Sequence, residues 1–277
     1  MSKSPRSDLA LLEQLKGTLA ALTEQARSTP LSTVARRKLD GGAREVMAQL
    51  AQLLHELDPI RQPSAIFDPS NPKIVGRFVA LALVAQPRHK LAEIERFYGS
   101  GVYALYYKGK FPAYKAVSGT ETPLYVGQAA PASNARTPME QGDKLSSRLS
   151  EHRKNIERAN ASLNIDDFEC RTLVVQSGWE TAAEDYLIHL FSPIWNNETK
   201  ILYGLGKHGD AAETRGNKRS PWDTLHPGRA WAASNKLVDA RTPDEISKDL
   251  KAHFSSTRIF KSLDEVLAEF IQELRQL

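Results

Sequence analysis

Apolar residues recur at helical spacing through the first sixty positions. Leu12, Leu15, Leu19 and Leu22 form one such set, and Val46, Leu50, Leu53, Leu54 and Leu57 form another, so this stretch reads as two helices. Ser28-Thr-Pro30 separates them and Asp58-Pro59 closes the second. The prolines between Arg61 and Pro72 suit an irregular connection. A third helix carries Ile74, Val75, Phe78, Leu81 and Leu83 and ends at Gln86-Pro87.

From Gly101 the pattern changes. Gly101 to Tyr107 (GVYALYY) is aromatic and β-branched, and Pro123 to Gly127 (PLYVG) is a second strand candidate, so the two predict an antiparallel hairpin with a long connection. Leu145 to Ala159 predicts a highly charged helix, Phe168 to Val175 a third strand, and Trp179 to Phe191 a helix with Ala183, Leu187 and Leu190 on one face. Residues 203–230 are rich in glycine, proline and charge with little periodicity. Thr242-Pro-Asp-Glu opens another helix, and Ser262-Leu-Asp-Glu265 has the form of a capping box before the last one. The order β-β-α-β-α flanked by helices predicts an α+β fold with a small antiparallel-containing sheet and helical extensions at both ends. Four regions follow: a helical region 1–96 packing on the core, a core 97–199, a basic loop region 200–232 and a helical region 233–277.

Composition narrows the setting. Hydrophobic residues make up 41% and charged residues 25%, ordinary for a globular chain. No run approaches the roughly 18 apolar residues of a membrane span, and Met1-Ser-Lys-Ser-Pro5 lacks the apolar core of a secretory signal. A lone cysteine, Cys170, excludes an internal disulfide and any Cys-rich zinc site, and its apolar neighbours mark it as a buried small hydrophobe. The expectation is a cytoplasmic protein with no membrane partner.

A net charge of +4 decides little; its distribution says more. Five Lys/Arg stand against two acids from Lys144 to Arg158, and six against three from Lys200 to Arg229. Lys200, Lys207, Arg215, Lys218, Arg219 and Arg229 are therefore the candidates for reading nucleic acid, since arginines pair with guanine edges and lysines neutralise phosphates.

Chemistry-bearing groups sit near the ends of the central elements. Tyr103 and Tyr125 lie on the two paired strands. Arg148 and His152 are four apart and share a helix face. Glu184 lies on the following helix, with Glu180 and Asp185 as competitors, and Asn196 follows after Pro193, with Asn197 as its competitor. Phenols, an imidazole, a guanidinium and a carboxylate suit phosphodiester hydrolysis, which needs a base for water, a cation for the developing charge and a metal for the oxygens.

Gly101-Val102-Tyr103 and Tyr125-Val126-Gly127 resemble the two half-motifs of the GIY-YIG nuclease superfamily, each with Val for Ile. Arg148, Glu184 and Asn196 match its later positions. His152, four after the arginine, and the run from Phe97 to Gly109 resemble the type II restriction endonuclease branch, in particular members cutting CCGCGG. The resemblance covers roughly residues 75–230. It implies a Mg²⁺-dependent endonuclease of double-stranded DNA, with one ion per active site on Glu184. Tyr103 would activate water with help from His152, Tyr125 would be hydrogen-bonded nearby, Arg148 would contact the scissile phosphate, and Asn196 would position the phosphate or the Glu184 side. It also implies a homodimer on a palindrome and a cognate DNA methyltransferase. Two other readings stand beside it: a DNA-repair or mobile-element nuclease of the same superfamily, and a catalytically inactive DNA-binding protein.

Overall fold

A computed structural model describes residues 7–28, 33–57, 60, 68–131, 135–176, 178–206, 218–234 and 237–274. The chain divides into two units, Met1–Ser64 and Ala65–Leu277. The first holds α1 (Ser7–Ser28) and α2 (Thr33–Leu57), as the leucine spacing predicts, and no residue of α1 is buried. The Asp58-Pro59 stop and most of the proline-rich connection lie outside the described residues. No described helix is long and apolar enough to cross a membrane.

The second unit runs α3 (Pro72–Val84), β1 (His89–Lys90), β2 (Gly101–Tyr107), β3 (Tyr125–Ala129), α4 (Pro138–Gln141), α5 (Lys144–Arg158), β4 (Phe168–Val174), α6 (Glu180–Phe191), α7 (Pro221–Leu225), α8 (Pro243–Ser256) and α9 (Leu263–Leu274). The strands form one antiparallel sheet in the order β1-β4-β2-β3. This is the expected α+β architecture.

Every residue of β2 is buried, which follows from its central place and from cover on both faces. Alternation sends Tyr103, Leu105 and Tyr107 to one core, shared with Leu145, Leu149 and Ile156 of α5. Val102, Ala104 and Tyr106 point to the other, shared with Leu83 of α3 and Ala183, Leu187 and Phe191 of α6. The C-terminal helices complete these cores: Ile246 and Leu250 of α8 join the first, Val266 and Phe270 of α9 the second.

Two local expectations change, and one short strand is added. The second strand begins at Tyr125 rather than Pro123, because proline has no N–H for the ladder. The full capping box is at Thr242 and Glu245, opening α8. At α9 only half of it forms: Ser262 accepts from the Glu265 N–H, but the Glu265 carboxylate accepts from the Lys261 N–H instead. The two-residue β1, against β4, is too short for any periodicity to reveal.

Candidate active site

The register of the β2–β3 pair sets Tyr103 opposite Gly127. A Cβ at Gly127 would lie 2.5 Å from the Tyr103 hydroxyl oxygen, so only glycine leaves room for that phenol. Gly101 has φ +155°, and a Cβ there would lie 2.0 Å from the Leu173 carbonyl oxygen on β4. Both half-motif glycines are thus steric requirements of the site.

Tyr103 is buried, and its hydroxyl lies 2.6 Å from Nε2 of His152, also buried, on the inner face of α5. Tyr125 completes the group, with ring centroids 6.0 Å from Tyr103 and 5.0 Å from His152. Burial lifts the Tyr103 phenol well above its ordinary range, and Tyr125 adds to this, outweighing the pull of Arg148. Burial, followed by the positive charge of Arg148, pushes His152 down to about 3, so the imidazole is neutral at pH 7. Its Nδ1 makes no hydrogen bond among the described residues.

Arg148, one turn before His152, is half-buried and bonds Glu151 through Nη1 at 2.6 Å. Burial opposes its charge, but Tyr103, Glu151 and Tyr125 together more than compensate and hold it protonated. Glu184 reaches the same place from α6. Burial raises its pKa, donors on Gln128 draw it back, and Asp185 and Glu198 raise it again. Of the competing acids, Glu180 is buried and accepts from the Ser100 hydroxyl and the Gly178 N–H, while Asp185 is exposed.

Asn196 seals the open edge of β3. Its Oδ1 accepts from the Val126 N–H at 2.9 Å and its Nδ2 donates to the Val126 carbonyl at 2.8 Å, standing in for the missing neighbour strand. Asn197 is exposed.

These groups border a cavity of about 380 Å³ lined by Tyr125, Arg148, Glu184 and Asn196, and closed by Trp195, Asn197, Glu198 and the turn Tyr203 to Gly206. Tyr103 and His152 stand one layer behind it, through Tyr125. Sequence spacing missed Glu198, Gln128 and Glu151. Gln128 directly follows the second half-motif, which is a usable signal; Glu198 reaches the cavity from the 3-10 turn Asn197–Thr199, too short for periodicity to reveal.

The wall behind Trp195 is a directed hydrogen-bond chain. The Trp195 indole N–H can only donate, and does so to the Tyr114 hydroxyl at 2.9 Å. Tyr114 then donates to Nε2 of His226, whose Nδ1 faces Ser162 Oγ at 2.9 Å. Burial pushes His226 down to about 3, in keeping with a neutral ring whose tautomer is set by its partners.

The basic candidates fare differently. Lys207 and Arg215 lie outside the described residues. Lys200 and Lys218 are exposed. Arg219 donates to the Ala232 carbonyl and to Asp239, 2.8 and 2.6 Å away. Arg229, expected at the DNA surface, is instead enclosed: it bonds both oxygens of buried Asp223 at 2.6 Å and the carbonyls of Leu205 and Gly204 at 2.9 and 2.8 Å. Its guanidinium also lies over Trp222 and Trp231. Through the Leu205 and Gly204 carbonyls it ties down the turn that closes the cavity.

A four-stranded antiparallel sheet between helices, with paired tyrosines facing an arginine-bearing helix and a carboxylate at the sheet edge, defines a GIY-YIG nuclease core. Residues 95–254 match the family model described as the Eco29kI GIY-YIG domain, a restriction endonuclease family. That match spans more than half of the chain, and the chain belongs to this family of nucleases. Among curated proteins none matches it.

Proposed function

We propose that this protein is a type II restriction endonuclease that hydrolyses double-stranded DNA at a short GC-rich palindrome, CCGCGG being the first to test, with one Mg²⁺ per active site. The observation that carries the reading is the single cavity on which Tyr125, Arg148, Glu184 and Asn196 converge, with the Tyr103–His152 pair directly behind.

Each group has a task that its geometry supports. Tyr125 is the phenol on the cavity wall and faces the attacking water, while Tyr103, fixed by His152, stands directly behind it and holds the phenol pair in place. Arg148 contacts the scissile phosphate and offsets the negative charge that grows as water oxygen bonds to phosphorus. Asn196 acts through the backbone, keeping β3 and hence Tyr125 in register.

The donor set fits a hard cation. Glu184 and Glu198 are oxygen donors on one wall, and no group of three or more His, Cys, Asp or Glu that could hold a metal occurs among the described residues, so waters and phosphate oxygens would complete the shell. When bound at Glu184, Mg²⁺ would neutralise phosphate oxygens and stabilise the leaving oxygen. A palindromic target calls for two copies of the chain, and a restriction activity calls for a methyltransferase that protects the host's own sites.

The test is digestion of plasmid and genomic DNA by purified protein with and without Mg²⁺, followed by sequencing of the ends. Discrete fragments sharing one palindrome support the reading. A smear indicates nonspecific digestion, and binding without cleavage indicates an inactive DNA-binding protein; either outcome defeats it.

A further inference from the structure

Binding of a divalent ion at Glu184 depends on where its carboxylate points, and the outer strand of the sheet governs that. β3 has a neighbouring strand on one side only. On its open side Asn196 takes up the N–H and carbonyl of Val126. Backbone groups of residues two apart leave a strand by the same edge, so the Gln128 N–H faces that open side as well. There α6 presents Glu184, and the Gln128 N–H acts on its carboxylate as a hydrogen-bond donor.

The side chain of Gln128 supplies a second donor to the same carboxylate. Its direction is set from α6. Nε2 donates to Thr181 Oγ1 at 3.1 Å, and the Thr181 hydroxyl in turn faces Oε1 at 3.3 Å. Thr181 and Glu184 are three apart in α6 and share a helix face. A primary amide has two N–H groups, one for the hydroxyl and one for the carboxylate.

A half-buried glutamate on a helix has several rotamers to lose before it can hold an ion. A carboxylate gripped by two donors from a paired strand keeps one orientation, and its other lone pairs remain for a ligand in the cavity that Glu184 lines. A brace between β3 and α6 would need the Thr181 contact alone.

We infer, on the reading that Glu184 holds the divalent ion, that Gln128 is its positioning residue: together with Thr181 it orients the Glu184 carboxylate before the ion arrives. The probe is Mn²⁺, whose free form is counted by electron paramagnetic resonance, added to the full chain without DNA at fixed pH. Glu184→Gln gives the reference for Mn²⁺ bound elsewhere. Gln128→Met keeps the side-chain length and removes the amide, and Mn²⁺ affinity should fall about tenfold, the scale for losing the partner of a metal-ligating group. Thr181→Val should weaken binding in the same direction, and Thr181→Ser should restore it by returning the hydroxyl. Thr181 is exposed, so urea midpoints of these two variants should stay at the wild-type value, and they decide the matter even where Gln128→Met unfolds. Equal affinity in wild type and Thr181→Val, no recovery with Thr181→Ser, or a loss that tracks lost stability overturns the inference and leaves the metal reading standing. Equal affinity in wild type and Glu184→Gln overturns the metal reading and this inference with it.

Discussion

The Tyr103 hydroxyl lies 2.6 Å from Nε2 of His152 in a region closed to solvent, and this contact ties the first half-motif to α5. Replacing Tyr103 by Phe keeps the ring and removes the contact. Single-turnover cleavage should fall at least about a hundredfold, the usual scale for losing a positioned proton-transfer group. Folding stability should fall by only about 1–3 kcal/mol, because His152 Nε2 is left unpaired. Activity within a few-fold of wild type would remove Tyr103 from the mechanism.

Glu184→Gln preserves shape but removes the charge that a divalent ion needs. Mg²⁺-supported cleavage should vanish, while DNA binding measured in Ca²⁺ persists. The pH–rate profile offers a second check. Burial holds the Glu184 pKa above its ordinary value, so the acid limb should lie higher than for an exposed carboxylate. A cation binds only the ionised form, so added Mg²⁺ should move that limb to lower pH. A limb indifferent to Mg²⁺ would argue that Glu184 is not the ligand.

Most of this arrangement was legible in the letters, for identifiable reasons. Arg148 and His152 are four apart on a helix, so periodicity alone gives them a common face, and the half-motif glycines record a close approach that excludes any side chain. Arg229 departs from its sequence reading because a charge between Gly228 and Trp231 has the look of a surface donor, whereas the fold encloses it. Its partner Asp223 is six residues back, and only the fold brings Trp222, Trp231 and the Gly204 carbonyl around it. Glu198 is invisible for a related reason: a single 3-10 turn of three residues carries no repeat.

Asn196→Asp tests the edge seal of β3. A carboxylate can still accept from the Val126 N–H, but it faces the Val126 carbonyl with a lone pair instead of a donor. Stability should drop by about 1–3 kcal/mol in urea unfolding, and turnover should fall with it because Tyr125 sits next to the loosened residue. An unchanged unfolding midpoint would mean the amide is not holding the strand.

His152 and His226 together make the fold acid-sensitive. Both are pushed down to about 3 by burial, whereas the unfolded chain titrates near 6.5. Between those values the unfolded state binds more protons, so stability is fully present above about pH 6.5 and declines as pH falls toward 3. The decline should amount to a few kcal/mol in order of magnitude. Urea midpoints at pH 7.5, 6 and 5 measure it directly, and a flat series would contradict neutral burial of both rings.

Arg229→Met separates a structural role from a DNA-reading one. The substitution leaves Asp223 buried opposite an apolar chain and releases the Leu205 and Gly204 carbonyls. Breaking a buried pair from one side costs about 3–5 kcal/mol, a large share of the stability of an ordinary domain. The urea midpoint should therefore fall steeply. The double variant Asp223→Asn/Arg229→Met, which removes both charges, should recover part of the loss. At a temperature where the single variant remains folded, its fragments should match those of wild type, since no base contact has been removed. A well-folded Arg229→Met protein cutting at relaxed sites would return this residue to the DNA interface.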